Sequence, residues 1–213
     1  MLEHRVESHE APVVGARLTA ALLRDALARR DGQRVSLAVS GGAGPWPMLA
    51  ALAATPLEWS RVDLYQVDER VAPAGHDDRN LTHLRRVFTA PVRWLPMPVE
   101  ADDLDAAARS YASSLPDVLD VVHLGLGPDG HTASLVPGDP VLEVRDRRVA
   151  VTGPYQGRRR MTMTYPTLDA AHALVWYVTG SGKDAALRQL RDGDASVPAG
   201  RVARSRAVLV SDR

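Results

Sequence analysis

The sequence contains no cysteine, which excludes disulfides, thiolate zinc sites and cysteine nucleophiles together. It has no net charge, with 26 Lys and Arg against 26 Asp and Glu. No global field therefore draws nucleic acid or an anionic membrane, and an anionic ligand must be held by local groups. No apolar run approaches the roughly 20 residues that span a bilayer. The opening residues MLEHRVESHEAP are charged and lack the apolar stretch of a secretory signal. A cytoplasmic location is expected. Lysine is almost missing too: Lys183 is the only one, among many arginines.

The most informative stretch that is present runs from Asp120 to Gly138, DVVHLGLGPDGHTASLVPG. It begins as an apolar strand, Val121 to Leu124, breaks into glycines at 125, 127 and 130, and places Asp129 and His131 two residues apart. Glycine lets the backbone turn sharply and approach a ligand. Histidine, with an unperturbed pKa of about 6.5, suits proton transfer near neutral pH. Asp-Gly is also a common turn dipeptide, so the stretch alone leaves a reactive site and a solvated turn equally open.

Alternating periodicities organise the rest. Val13 to Arg30 has helical spacing of apolar residues and ends at Asp31-Gly32. Arg34–Val39, Val62–Val67, Val92–Leu95, Val121–Leu124, Ala173–Thr179 and Ala207–Val210 read as strands. Trp46–Ala53, Asp78–Phe88, Asp102–Leu115 and a segment ending near Arg191 read as helices. Met161–Thr164 alternates Met and Thr, the period of a half-buried strand. Asp139–Arg160 is expected to form surface loops and an irregular or antiparallel edge. This alternation argues for a single α/β domain over residues 1–213, with a mainly parallel sheet and helices on both faces. Ser40–Gly42, Asp68–Arg70, Gly127–His131 and Gly180–Lys183 each follow a strand directly. In an open parallel sheet, ligands bind outside the carboxyl ends of the strands, so four polar loops are expected to converge there.

Each loop offers chemistry. Ser40-Gly41-Gly42-Ala43-Gly44-Pro45 leads into a helix and can present backbone N–H groups to an anion, although it is neither a Walker A loop nor a dinucleotide fingerprint. Asp68-Glu69-Arg70 supplies two carboxylates and a guanidinium suited to phosphate or carboxylate. Arg160 precedes the Met-Thr strand. Lys183 heads a helix, where the helix dipole disfavours a cation, which suggests an anion partner. His76, His83, His123, His131 and His172 do not fall at metal-ligand spacings, and His123, inside an apolar strand, reads as a core residue. No G-x-S-x-G elbow is present. Arg145–Arg148 and Arg158–Arg160 lack interleaved aromatics, so no nucleic-acid partner is expected.

With LAVSGGAGPWPML, VDLYQVDERVAP followed by Asn80, HLGLGPDGHTASLVPG and RRRMTMTYPTLDAAHALVWYVTGSGK in view, the chain resembles the 6-phosphogluconolactonase family over nearly its full length. The resemblance implies a modified Rossmann-like sheet and hydrolysis of a phosphosugar lactone, 6-phospho-D-glucono-1,5-lactone, in the oxidative pentose phosphate pathway. It implies no cofactor, no metal and no membrane or nucleic-acid partner, and a monomer is expected. It implies that His131 is the base, with Asp129 orienting it or its loop and Arg70 and Asp68 close to the reaction. Ser40, Gly41, Gly42, Ala43, Gly44, Arg160 and Lys183 would hold the phosphate. Gly44 stands where the family usually has threonine, so one hydroxyl donor is missing. The related aminosugar-phosphate deaminases carry a glutamate five residues beyond the histidine, where this chain has Val136, and an aromatic where it has Arg70. Two other readings stay open: a deaminase, and a sugar-phosphate sensor without catalysis.

Overall fold

The computed structural model describes residues 1–213. Strand β1 (Leu2–Arg5) precedes helix α1 (Ala11–Arg29), whose small and apolar face of Ala16, Thr19, Ala20, Leu23, Ala26 and Leu27 is buried. The helix stops before Asp31 and Gly32, which turn the chain with positive φ. Next come β2 (Val35–Val39), α2 (Trp46–Ala53), β3 (Val62–Gln66) and the short β4 (Asp68–Arg70). Helix α3 (Asn80–Val87), β5 (Arg93–Leu95), α4 (Leu104–Ser114) and β6 (Val121–Leu124) follow. Asp103 caps α4 by accepting the Ala106 N–H at 2.9 Å, which is why the helix starts after its acidic pair. The last third holds β7 (Val149–Val151), β8 (Arg160–Met163), α5 (Tyr165–Asp169), β9 (Ala173–Val178), α6 (Asp184–Asp192) and β10 (Ala207–Ser211).

Seven strands form one sheet in the order β1-β10-β9-β6-β2-β3-β5, and every neighbouring pair is parallel. All five residues of β2 are buried, as expected for a strand covered on both faces. Val35, Leu37 and Val39 pack with α1 and α2, whereas Ala38, Val122, Leu124 and Trp176 pack with α4 and α6. Ser36 is tolerated in this core because it is fully paired with Asp120: its N–H and hydroxyl each donate to the carboxylate at 2.9 Å, and its oxygen accepts the Asp120 N–H at 2.8 Å. That bond set ties β2 to the residue before β6. Strand order reverses between β2 and β6, so the loops after these two strands diverge and leave a crevice.

A second, antiparallel sheet, β4-β8-β7, lies beside that crevice. Four elements depart from the sequence reading, among them helix α5, which it did not separate. Strand β1 is an edge strand, held only by β10. Asp68–Arg70 is a strand rather than a loop. The Met-Thr segment is fully buried rather than half-buried, because β8 is the central strand of the small sheet. Thr162 survives burial because its hydroxyl donates to the Met163 carbonyl at 3.0 Å and accepts the Ser134 N–H at 3.1 Å. No helix is long and apolar enough to cross a membrane.

Candidate active site

The four loops converge. A cleft of about 210 Å³ opens at the carboxyl ends of the parallel strands, and ten of the eleven site residues expected from sequence line it: Ser40, Gly41, Gly42, Ala43, Gly44, Asp68, Arg70, His131, Arg160 and Lys183. The eleventh, Asp129, stands behind His131 and does not line the cleft.

The His131 loop is built around close backbone approach. Gly127 donates to the His131 carbonyl at 2.8 Å, and the Gly130 N–H donates to the Gly127 carbonyl at 3.0 Å. The imidazole packs directly on Gly127: a Cβ there would lie 2.1 Å from Nδ1 and 2.2 Å from Cε1. Nδ1 meets Asp129 Oδ1 at 2.5 Å. A carboxylate only accepts, so Nδ1 carries a proton, and in the neutral ring this tautomer leaves the lone pair on Nε2. Burial of Asp129 works to raise its pKa. The charge of His131 and hydrogen bonds from His131 and Tyr155 outweigh that, and the carboxyl sits below its ordinary value.

Another part of the lining comes from the small sheet. Arg70 and Arg160 are direct cross-strand partners in the β4–β8 pair. Like charges placed opposite one another repel, and burial together with the Arg70 charge holds the Arg160 guanidinium below its ordinary pKa. Asp68 offers partial compensation, but its Oδ2 already accepts the Ser134 hydroxyl at 2.6 Å. Glu69, the second carboxylate of the Asp-Glu-Arg run, is turned away from the cleft. It accepts the Asn80 and Leu81 N–H groups at 2.7 and 2.8 Å and pairs with Arg79 at 3.2 Å. It thereby caps α3 and positions Asn80, which fills the space against Gly41 so tightly that a Cβ on Gly41 would sit 2.1 Å from Asn80 Oδ1.

Several cleft groups lack a protein partner. The N–H groups of Gly41, Gly42, Ala43 and Gly44 donate to no protein acceptor. Buried Ser40 Oγ, Arg70 Nε, Asn80 Oδ1 and Arg160 Nε also have none. Buried polar atoms without partners are costly, and their concentration here marks a surface made for a polar ligand. Lys183 lines the same cleft, and burial lowers its ammonium pKa. At the end of β9, Thr179 Oγ1 lies 3.6 Å from where a Cβ on Gly44 would stand. No cluster of three or more His, Cys, Asp or Glu side chains is arranged to hold a metal ion. His123 is fully buried in β6, away from these groups, and burial drives its pKa down to about 3.

Sequence reasoning missed Tyr155, whose hydroxyl donates to Asp129 Oδ2 at 2.9 Å. It also missed Ser134 and Thr179. The one available signal for Tyr155 was the Gln156-Gly157 pair, a turn dipeptide that brings its flanking residues together.

Comparison with known proteins agrees with this geometry. A family model described as glucosamine-6-phosphate isomerases/6-phosphogluconolactonase matches residues 9–210. A 6-phosphogluconolactonase of Rhizobium meliloti is 37% identical over 189 residues, covering 83% of this chain and 78% of the relative. A crystal structure of a 6-phosphogluconolactonase from Shewanella baltica superposes with a TM-score of 0.88 at 24% identity, covering 99% of this chain and 97% of that one. A monomeric glucosamine-6-phosphate deaminase superposes with a TM-score of 0.82 at 18% identity, covering 100% of this chain and 98% of that one, so the fold alone does not separate the two activities. The chain belongs to the glucosamine-6-phosphate isomerase/6-phosphogluconolactonase family.

Proposed function

We propose that the protein is a 6-phosphogluconolactonase, hydrolysing 6-phospho-D-glucono-1,5-lactone to 6-phosphogluconate in the pentose phosphate pathway. One observation carries the reading. An imidazole with Nδ1 committed to a carboxylate lines the same small cleft as a cross-strand arginine pair. Hydrolysis needs little more. His131 Nε2 takes a proton from water as the hydroxide attacks the lactone carbonyl. Arg70, one of the two opposed guanidiniums, stabilises the oxyanion that forms. His131 then returns the proton to the departing ring oxygen. Asp129 holds the imidazole in the required tautomer and stabilises it while it is charged, and Asp68 fixes the Ser134 side of the pocket.

The unpaired N–H groups of Gly41 to Gly44, with Ser40, Arg160 and Lys183, receive the 6-phosphate. A loop of free amides at the start of a helix is suited to an anion. Thr179 Oγ1, 3.6 Å from where a Cβ on Gly44 would stand, is a nearby hydroxyl beside the position where the loop lacks one. No cofactor enters the scheme. The reading takes the enzyme as a cytoplasmic monomer.

Two features count against the deaminase. Val136, where those enzymes carry a glutamate, is a buried apolar residue, and Arg70 occupies the position of their aromatic. The test is a coupled assay on freshly generated lactone. His131→Ala is expected to lower kcat by about 10²–10⁴, the usual contribution of a general base. Ammonia release from glucosamine 6-phosphate would assign the deaminase instead. Tight binding of phosphogluconate without any gain over spontaneous lactone decay would assign the sensor.

A further inference from the structure

Tyr155 belongs to none of the motifs that carry the family resemblance at the His131 loop or the glycine loop, yet it touches three groups of the site at once. Its hydroxyl donates to Asp129 Oδ2 at 2.9 Å. Its ring meets the His131 imidazole edge to face, with centroids 5.5 Å apart. The Arg160 guanidinium lies over the same ring, 4.8 Å from its centre. The backbone makes this placement rigid. Tyr155 and Arg158 exchange hydrogen bonds of 2.9 and 3.3 Å across Gln156 and Gly157, whose φ values are +51° and +80°. Two positive φ values in a two-residue loop are the pattern of a tight hairpin turn. Arg158 Nε then donates to Asp78 at 2.8 Å, and the Asp78 carbonyl accepts from Arg70 at 2.9 Å. The hairpin is thus tied to the His131 loop and, through Asp78, to Arg70.

We propose that Tyr155 is a positioning residue for the reaction, acting through its hydroxyl on the Asp129–His131 pair and through its ring on the placement of His131 and Arg160. The inference rests on the lactonase reading of the same cleft. Asp129 has two oxygens and two duties. Oδ1 accepts a hydrogen bond from His131 Nδ1, and Oδ2 accepts one from the Tyr155 hydroxyl. A donor on Oδ2 draws charge from the carboxylate and weakens its hold on an imidazolium. The phenol therefore weakens the carboxylate's preference for the charged ring over the neutral one, which accepts the proton in the reaction. The ring does a second job. It offers Arg160 a π face, which offsets part of the repulsion between Arg160 and Arg70.

Other charges face this pair. They are Arg160 from β8, Arg70 and Asp68 from β4, and Lys183 at the start of α6. They remain in place in a Tyr155→Phe protein, so the difference between that variant and wild type isolates the hydroxyl. A net hydrogen bond of ordinary strength corresponds to about half to one pH unit. In Tyr155→Phe the acid limb of the kcat/KM profile is expected to move up by that amount, with KM for the lactone unchanged. In an Asp129→Asn background the same substitution is expected to add nothing, because the hydroxyl acts through the carboxylate. Tyr155→Ala also removes the ring and is expected to raise KM as well as lower kcat.

The assays use purified full-length protein and fresh 6-phosphogluconolactone. Wild type and His131→Ala run alongside: absence of any lactonase activity in wild type would defeat the functional reading and not this inference alone. If wild type is active and His131→Ala is not, a Tyr155→Phe profile that coincides with wild type overturns the role of the hydroxyl, even if Tyr155→Ala is damaged by misfolding. An acid limb shifted equally in the presence and absence of Asp129 overturns the route through Asp129.

Discussion

The two sheets contribute to the cleft in different currencies. The parallel sheet delivers backbone and a base: the free amides of Gly41–Gly44 after β2 and the His131 loop after β6. The small antiparallel sheet delivers charge. Arg70 and Arg160 face each other across β4 and β8, and Tyr155 hangs from the hairpin that joins β7 to β8. The first set is positioned by strands buried on both faces. The second depends on short pairings, three residues in β4 and β7, and on side chains bracing one another. Damage to the loop after β6 should therefore appear in the chemical step, and loss of Arg160 from the small sheet in substrate binding.

Gly127→Ala puts the largest strain on that division. The added Cβ would occupy the place of the His131 ring, 2.1 Å from Nδ1, and would crowd Asp129 Oδ1 at 2.8 Å. The ring must swing out of register. A displacement of about 1 Å costs on the order of 10²-fold, so kcat is expected to fall by that factor while KM changes little. A variant that turns over within twofold of wild type would show that the loop tolerates the displacement and that His131 is not held where the scheme requires.

Arg160→Gln tests the other sheet. A charge-assisted hydrogen bond is worth about 1.5–3 kcal/mol, so KM is expected to rise by about 10- to 100-fold with a smaller change in kcat. Lys183→Ala, in a half-buried and better screened position, should raise KM by less. If Arg160→Gln instead lowers kcat with KM intact, Arg160 rather than Arg70 serves the oxyanion, and the division of labour between the two arginines is redrawn.

The same contrast explains what could be read from the residues. The strands of the parallel sheet are near-continuous apolar runs such as Val35–Val39 and Ala173–Val178, ending in glycines, and both signals are local. The site residues after them were legible for the same reason. Strand β4 was not, because nothing in Asp68-Glu69-Arg70 marks a strand; its conformation comes from pairing with Arg160–Thr162, far along the chain. Strand β8 was seen but its burial was misjudged, since Thr162 looks solvent-facing until Ser134 is brought to it. Glu69 was grouped with its neighbours as a cleft candidate, and only the start of α3 reveals it as a cap. Strand β1 carries charged residues and no apolar period, and it is a strand because β10 offers a free edge.

The smallest effect on activity is expected from the interior of the parallel sheet, at His123. Both its ring nitrogens are buried without a partner, and burial drives its pKa down to about 3. The unfolded chain binds a proton at this residue near pH 6.5, whereas the folded chain refuses it until far lower pH. The contribution to stability is therefore complete above about pH 6.5 and is lost as pH falls from there toward the folded value, at up to about 1.4 kcal/mol per pH unit. His123→Leu keeps an apolar side chain of similar size and removes that titration. Urea unfolding between pH 7 and 4.5 should show a shallower loss of stability in the variant, with lactonase activity at pH 7.5 unchanged. Equal slopes in the two proteins would mean that His123 finds a partner or water in the folded state. A loss of activity would mean that the imidazole in the strand and the imidazole in the loop are coupled. The parallel sheet would then contribute more to the reaction than a backbone and a single base.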